Sequence, residues 1–173
     1  MSEDKPDIHF YADLATIISL LIIMGIFVWE QFKINQLEKQ NTRVLLESLR
    51  IEINSNVGFI EDFEKIKERY KSSNEFTQSS FSTIVLEEIV SQGKIGNETD
   101  KIMMRSLSNN MTITNRVMGR FQNLFFYNTE EQYNAWHKLK NETVDKVSFN
   151  NQIIKVDLLK LNETIKYFLE NIN

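Results

Sequence analysis

The longest apolar stretch of the chain, TIISLLIIMGIFVW, covers Thr16 to Trp29 and carries no charge. It falls short of the roughly 20 residues that cross a bilayer as a helix, but extension back to Phe10 supplies the length. Aromatic residues stand at both ends, where membrane proteins place them at the lipid headgroups. The pattern predicts a transmembrane helix over residues 10–32, preceded by a short acidic tail at 1–9.

Two other interpretations of this stretch stay open. A buried core helix is also apolar all round, but a domain of this size rarely encloses one completely. A cleaved signal peptide has a basic start and a small-residue cleavage site. This chain starts acidic and has no such site after the apolar run. A retained single span is therefore favoured.

Neither proline nor glycine occurs between Trp29 and Gly58, so we expect the span to continue into a long helix. From Leu49 its apolar residues recur in a heptad-like pattern, typical of a coiled coil, that needs a partner surface. The apolar positions after the span include Ile34, Leu37, Val44, Leu45, Leu49, Ile53, Ile60 and Phe63.

Asn56 is the one polar residue on this stripe. It either sets the register of an oligomer or binds a ligand group, or it bonds to a neighbouring helix or to backbone; the last interpretation is favoured. Gly58 either permits a close helix approach or only weakens the helix.

Two amphipathic segments follow. Ser79 or Ser80 is expected to cap a helix that ends at Gly93. Thr99 or Asp100 is expected to cap another that runs to about Tyr127, with a kink or break in SLSNNMTITN. The second helix should bury Phe81, Ile84, Val85, Ile89 and Val90. The third should bury Met103, Leu107, Met111, Thr114, Val117 or Met118, Phe121 and Phe125. We expect the methionines to fill a core rather than form a binding groove.

Thr129 and Gln132 have the spacing of a capping box and predict the start of a fourth helix. It carries Tyr133, Trp136 and Leu139. A loop or bend over residues 141–148 is expected before the last helix, whose stripe is Ile153, Ile154, Leu158, Leu161, Ile165, Phe168, Leu169 and Ile172. The predicted fold is all-α: a transmembrane helix continuing into a long helix, followed by an antiparallel bundle of four to five helices in residues 33–173.

Composition narrows the function classes. Cysteine is absent, which excludes disulfides, thiol catalysis and thiolate metal sites. The net charge is −4, and residues 1–29, with four acids and one lysine, carry −3 of it, because the remainder mixes both signs. A nucleic-acid partner is not expected, since no basic footprint is present.

Sidedness follows from lysine and arginine near the span. Only Lys5 precedes it, whereas Lys33, Lys39 and Arg43 follow it closely. The positive-inside rule predicts the N-terminus outside the inner (plasma) membrane and the C-terminal domain in the cytoplasm. Glycosylation sequons at Asn97, Asn110, Asn141 and Asn162 would favour the opposite side. They are weak evidence in a chain this rich in asparagine, serine and threonine.

Chemistry-bearing residues do not converge in the sequence. His9 is expected at the membrane interface and His137 on a solvated helix edge. Acidic clusters at Glu61–Asp62–Glu64 and Glu87–Glu88 suit solvated faces better than an acid/base pair, because sequence neighbours on a helix point in different directions. No catalytic, cofactor-binding or metal-ligating residue is therefore predicted, and no cofactor.

The segments LLESLRIEINSNVGFI and FSTIVLEEIVSQGKIG resemble a recurrent pattern of small single-pass prokaryotic membrane proteins. In that pattern a span leads into a helix reading roughly leucine-leucine-x-glutamate-isoleucine-x-x-asparagine, and a second helix ends in a Ser/Gln-Gly-Lys turn. The resemblance implies a tethered cytoplasmic helical domain, and some relatives by architecture are phage-defence or CRISPR accessories. The arginine–histidine spacing of HEPN ribonucleases is absent, so no catalytic residue is implied.

The function expected from these features is non-enzymatic. The chain should act as a membrane-anchored module for protein interaction or self-assembly. Its partners would be lipid, through residues 10–32, and a second copy or another protein, through the juxtamembrane helix. The alternative is a defence accessory that oligomerises and perturbs the membrane.

Overall fold

The computed structural model describes residues 8–72, 80–93, 96–122 and 129–172, without the side chains of 8–12, 121 and 122. These residues form four α-helices and no strand. The helices are α1 (Ile8–Ser72), α2 (Ile84–Gln92), α3 (Glu98–Gln122) and α4 (Glu130–Asn171). The all-α prediction is confirmed for the described part of the chain, as is the uninterrupted helix beyond Trp29. The chain divides into two compact units, Met1–Thr42 and Arg43–Asn173.

The first unit consists of the beginning of α1. Every side chain from Asp13 to Asn41 is exposed. Among the described helices, α1 alone is long and apolar enough to cross a membrane. Its most apolar 18-residue window has a mean hydropathy of 1.9, and none of that window is buried. The part of the chain that the structure describes therefore does not cover the apolar stretch.

The second unit has an apolar core to which all four helices contribute. The heptad-like stripe that begins at Leu49 lies inside this core, so its partner surface is the rest of the same chain. Each fully buried leucine or isoleucine contributes roughly 1.5–3 kcal/mol through removal from water. The main cluster comprises Leu46, Leu49, Ile53 and Ile60 of α1, Phe81 before α2, Leu86 and Ile89 of α2, Met104, Leu107 and Met111 of α3, and Ile154, Leu158, Leu161 and Ile165 of α4.

A smaller cluster lies further along α1 and α3 and earlier along α4 than the main one, and it includes no residue of α2. It comprises Phe63, Tyr70, Met118, Val144 and Val147. Met104, Met111 and Met118 are all buried, which confirms the prediction that the α3 methionines fill a core. Met103 and Val117, also expected on this stripe, are half-buried.

The ends of α2 and α3 differ in part from expectation. Gly93 closes α2 in the left-handed region, with φ 62°, as predicted. The residue before α2 is Thr83, which makes no side-chain cap bond, so a serine cap at position 80 is wrong; Ser79 lies outside the described residues. At α3 the cap is Asn97, not Thr99 or Asp100. The Asp100 amide donates to its Oδ1 at 3.0 Å, and the Asn97 amide donates back to the Asp100 carboxylate at 3.0 Å.

α3 runs unbroken to Gln122, so the helix does not break in SLSNNMTITN; the predicted end near Tyr127 lies outside the described residues. Polar side chains of that stretch find acceptors instead of breaking the helix. Thr114 Oγ1, for example, donates to the Asn110 carbonyl at 2.9 Å.

α4 confirms its predicted start and overturns a predicted bend. The Gln132 amide donates to the Thr129 hydroxyl at 3.2 Å, as the capping-box spacing indicates. The loop or bend expected over residues 141–148 is wrong, because the helix continues to Asn171. Val144 and Val147 face the core there, and this burial holds the polar stretch in helical form. Two residues expected in the core are exposed: Ile84 at 76% and Ile153 at 42%.

Candidate functional site

The most concentrated polar chemistry in the second unit surrounds the start of α2. Glu52 of α1 is only 7% exposed. Its Oε2 accepts from the Ser82 hydroxyl at 2.8 Å and from the Val85 amide at 2.9 Å. Its Oε1 accepts from the Leu86 amide at 3.1 Å. The first amides of a helix lack partners within that helix, so Glu52 caps α2 from a different helix.

Two asparagines hold the backbone just before α2. The Asn56 amide nitrogen donates to the Ser82 carbonyl at 2.8 Å, and its Oδ1 accepts from the Ser82 amide at 2.9 Å. Asn115 of α3 does the same at Phe81, with distances of 2.8 and 2.9 Å. Each side chain thus satisfies both backbone groups of one residue. We call Glu52, Asn56 and Asn115 the α2 clamp.

The clamp decides between the interpretations of Asn56. Its amide bonds to backbone of the same chain, so the favoured interpretation is the observed one. Gly58 does not mark a close approach, because a Cβ added there meets no atom within 4 Å. Both carboxylate oxygens of Glu52 are already occupied by donors. In this arrangement Glu52 fixes α2 and is not presented as a base.

An open cavity of about 430 Å³ lies beside the clamp. Its walls are formed by Ser55, Asn56, Gly58, Phe59, Asp62, Phe63, Ile66, Tyr70, Ser80 and Ser82. Its ionisable groups are Asp62 and Tyr70. Asp62 pairs with Lys65 at 2.9 Å, and burial raises the pKa of Tyr70 despite nearby Arg69. A neutral phenol and an exposed, ion-paired carboxylate do not form an acid/base pair.

The predicted acidic cluster resolves into separate ion pairs. Glu61 reaches Lys155 of α4 at 2.8 Å. Glu64 pairs with Lys67 at 2.8 Å and accepts from the Ser148 hydroxyl at 2.6 Å. Glu61 and Asp62 are exposed, as the expected solvated face requires, whereas Glu64 is half-buried. These contacts link α1 to α4 and place no two carboxylates together.

His137 is half-buried rather than fully solvated, which corrects the expectation. Its ring lies edge-on to Tyr133 and Trp136, with centroids at 4.3 and 5.0 Å. Partial burial lowers its pKa, as does Lys140. Lys140 itself is buried over the Trp136 ring, 4.7 Å from the centroid, and burial lowers its pKa. His9 lies in the first turn of α1, and its side chain is outside the described residues.

Asn151 of α4 is the least satisfied polar group in the core. It is 0% exposed, and neither its Nδ2 nor its Oδ1 has a hydrogen-bond partner in the described part of the chain. Its sequence position lies between Val147 of the smaller cluster and Ile154 of the main one. Within the described ranges, no group of three His, Cys, Asp or Glu residues is placed to hold a metal ion.

Sequence reasoning missed Glu52, Asn115, Lys140 and Asn151. One signal was available for Glu52, since a single acid stands between Ile51 and Ile53 and four residues before Asn56. That spacing puts Glu52 and Asn56 on one helix face. No comparable signal marks the other three. Comparison with protein-family models, curated proteins and solved structures found no match to this chain.

Proposed function

We propose that this chain is a single-pass membrane protein whose helical domain acts by binding protein, either another copy or a different partner, and not by catalysis. In this proposal residues 10–32 lie in lipid and residues 33–173 form an antiparallel helical bundle in the cytoplasm. The observation that carries it is the contrast between a fully exposed apolar window in α1 and a second unit that buries its own stripes.

Local contacts around the apolar stretch support a lipid environment. The Ser19 hydroxyl donates to the Ala15 carbonyl at 2.8 Å, so its polar group is satisfied within the helix, as lipid requires. At the other end the Trp29 and Phe32 rings stack at 6.0 Å, and Lys33 lies 5.6 Å from the Trp29 centroid. An amphipathic tryptophan ring beside a lysine is typical of a headgroup boundary.

The proposed sidedness has a direct test because the chain contains no cysteine. Single cysteines are introduced at Ser2 and at exposed Asn171, and intact cells are treated with a membrane-impermeant maleimide. Labelling at Ser2 alone is expected. Labelling at Asn171 alone would reverse the orientation, and equal labelling at both positions without lysis would contradict a single span.

A binding role is consistent with the second unit, in which the carboxylates of Glu52, Glu61 and Glu64 are engaged in contacts within the unit. The clamp carboxylate is occupied by three donors, and the carboxylates of Glu61 and Glu64 are paired with lysines. The juxtamembrane part of α1, by contrast, keeps apolar residues exposed, including Ile34 and Leu37. Exposed apolar residues in a regular helix are a common basis for helix-to-helix binding.

The test measures the mass of the full chain extracted from its membrane directly into polymer-bounded nanodiscs. We expect particles that hold two or more copies, or one copy with a defined partner. A preparation that contains only single copies across a range of expression levels would overturn the proposal. In a separate experiment the native membranes are washed with alkaline carbonate. Release of the chain from the membrane fraction would overturn the span itself.

A further inference from the structure

The juxtamembrane turns of α1 carry an unusually sparse apolar pattern. Between Lys33 and Arg43 the sequence reads KINQLEKQNTR, and its apolar residues are Ile34 and Leu37 alone. These two side chains are 50% and 58% exposed. With 3.6 residues per turn, Ile34, Leu37 and Asn41 fall within about 60° of the helix surface. One narrow stripe therefore stands on an otherwise polar helix.

This stripe has the features of a two-stranded coiled coil. If Ile34 takes position a of a heptad, Leu37 takes d and Asn41 the next a. A lone asparagine at a is the residue that fixes register and favours two strands. We call Ile34, Leu37 and Asn41 the juxtamembrane seam.

The charges beside the juxtamembrane seam indicate which molecule packs against it. In this register Lys33 takes position g and Glu38 takes position e of the following heptad. In a parallel pair of identical helices, g of one strand faces that e of the other. Each Lys33 would then meet a Glu38 of opposite charge, once on each side of the seam. Both side chains are exposed; Lys33 would exchange its contact with the Trp29 ring, 5.6 Å from the centroid, for the pairing with Glu38.

We propose that the juxtamembrane seam pairs in parallel with the same seam of a second copy, with Asn41 opposite Asn41 and Lys33 opposite Glu38. This inference rests on the proposed function, because the membrane span holds both copies the same way up. A shared membrane also raises their effective concentration, so a short seam suffices. The heptad-like stripe from Leu49 onward is not available for this pairing, since its residues are buried.

Cysteine cross-linking in native membranes tests the pairing, and the cysteine-free chain allows it without prior substitutions. Ile34→Cys and Leu37→Cys place a thiol on the seam, whereas Asn35→Cys and Gln36→Cys place it elsewhere on the same exposed turn. Under mild oxidation we expect cross-linking at the two seam positions to be at least fivefold faster. Equal rates at all four positions, which random collision produces, would overturn the proposal.

Charge reversal tests the register. Glu38→Lys alone should reduce the rate of cross-linking at a Leu37→Cys thiol by threefold or more. The substitution places two lysines opposite each other on either side of the seam, and they repel. Adding Lys33→Glu should restore the original rate. Positions 33 and 38 are not neighbours on one helix, where contacts join residues three or four apart, so restoration reports a contact between copies. No restoration would overturn the assigned register.

The outcomes separate this inference from the proposed function. Nanodisc particles of two or more copies without a seam pattern would leave the proposed function standing and reject the seam. Particles of single copies with no partner would reject both.

Discussion

α1 has two parts, one before and one after the boundary between Thr42 and Arg43. Both carry apolar stripes, but the first stripe is exposed and the second is buried. Leu37 is 58% exposed and Leu49 is 1% exposed, although both stand on apolar stripes of one helix. Downstream, the stripe repeats over several turns and meets facing stripes from α2, α3 and α4. Upstream, the described chain offers no facing stripe, so any cover must come from lipid or from another molecule.

The difference teaches what helical periodicity can and cannot tell. A regular stripe shows that one face of a helix is apolar. It does not tell whether the chain covers that face itself. The size of the stripe and the number of matching stripes elsewhere in the sequence carry that second piece of information.

The largest expected effect comes from truncating the two leucines. Leu49→Ala should lower the free energy of unfolding by about 3 kcal/mol, since it leaves a cavity in the core. Leu37→Ala, the matched control, should change it by less than about 0.5 kcal/mol. The measurement is urea unfolding of the full chain in detergent, followed by Trp136 fluorescence with Trp29→Phe as background. Similar losses for both variants would contradict the division of α1.

Removal of the clamp carboxylate should have the next largest effect. Glu52→Ala leaves the amides of Val85 and Leu86 without their acceptor, which should cost about 2–3 kcal/mol. Hydrogen exchange should accelerate at those two amides before global unfolding. Glu47→Ala is the control, because Glu47 forms an exposed i,i+4 pair with Arg43 at 3.1 Å and such pairs contribute little. Unchanged exchange at Val85 and Leu86 in Glu52→Ala would remove the capping role.

The same substitution, asparagine to leucine, should change the free energy of unfolding in opposite directions at two positions. Leucine has the same branching as asparagine, so Asn151→Leu replaces an unpartnered buried amide with an apolar group of similar shape. It should raise the free energy of unfolding by up to about 1 kcal/mol. Asn56→Leu should lower it by about 2 kcal/mol, because it strips two bonds from the Ser82 backbone. An equal loss for both variants would indicate that Asn151 also has a stabilising partner.

Much of the fold follows from local sequence. The absence of proline and glycine between Trp29 and Gly58 predicts that α1 continues beyond the span. Gly93 and Thr129 predict the end of α2 and the start of α4, and the core leucines follow the 3.6-residue period. These features depend on residues close in the chain, which is why they can be derived without the structure.

The clamp could not be derived in the same way. The donors to Glu52 come from residues 82, 85 and 86, and their partner depends on how α1 and α2 meet. The continuity of α4 through residues 141–148 is similar. Its polar composition favours a loop, but burial of Val144 and Val147 outweighs that local preference. Tertiary contacts decided both cases.

The smallest expected effect is a loss of folding stability at acidic pH. Partial burial by itself raises the pKa of Glu64, but the bonds from Lys67 and Ser148 outweigh it and hold that pKa below its ordinary value. A carboxyl group with a lowered pKa binds fewer protons in the folded state than in the unfolded state. Its contribution is therefore fully present above the pKa that a glutamate has in the unfolded chain and is lost as the pH falls through the lower pKa of the folded state.

We accordingly expect the urea midpoint of the full chain to fall as the pH drops below the ordinary pKa of glutamate, and to fall less steeply in Glu64→Gln. Glutamine keeps the size of the side chain and an acceptor for the Ser148 hydroxyl, so the comparison isolates the titrating charge. The ion pair of Glu61 with Lys155 acts in the same direction, because Lys155 lowers the pKa of Glu61, and it leaves some pH dependence in the variant. If Glu64→Gln followed the same curve as the unchanged chain, the link between α1 and α4 at Ser148 would not depend on the charge of Glu64.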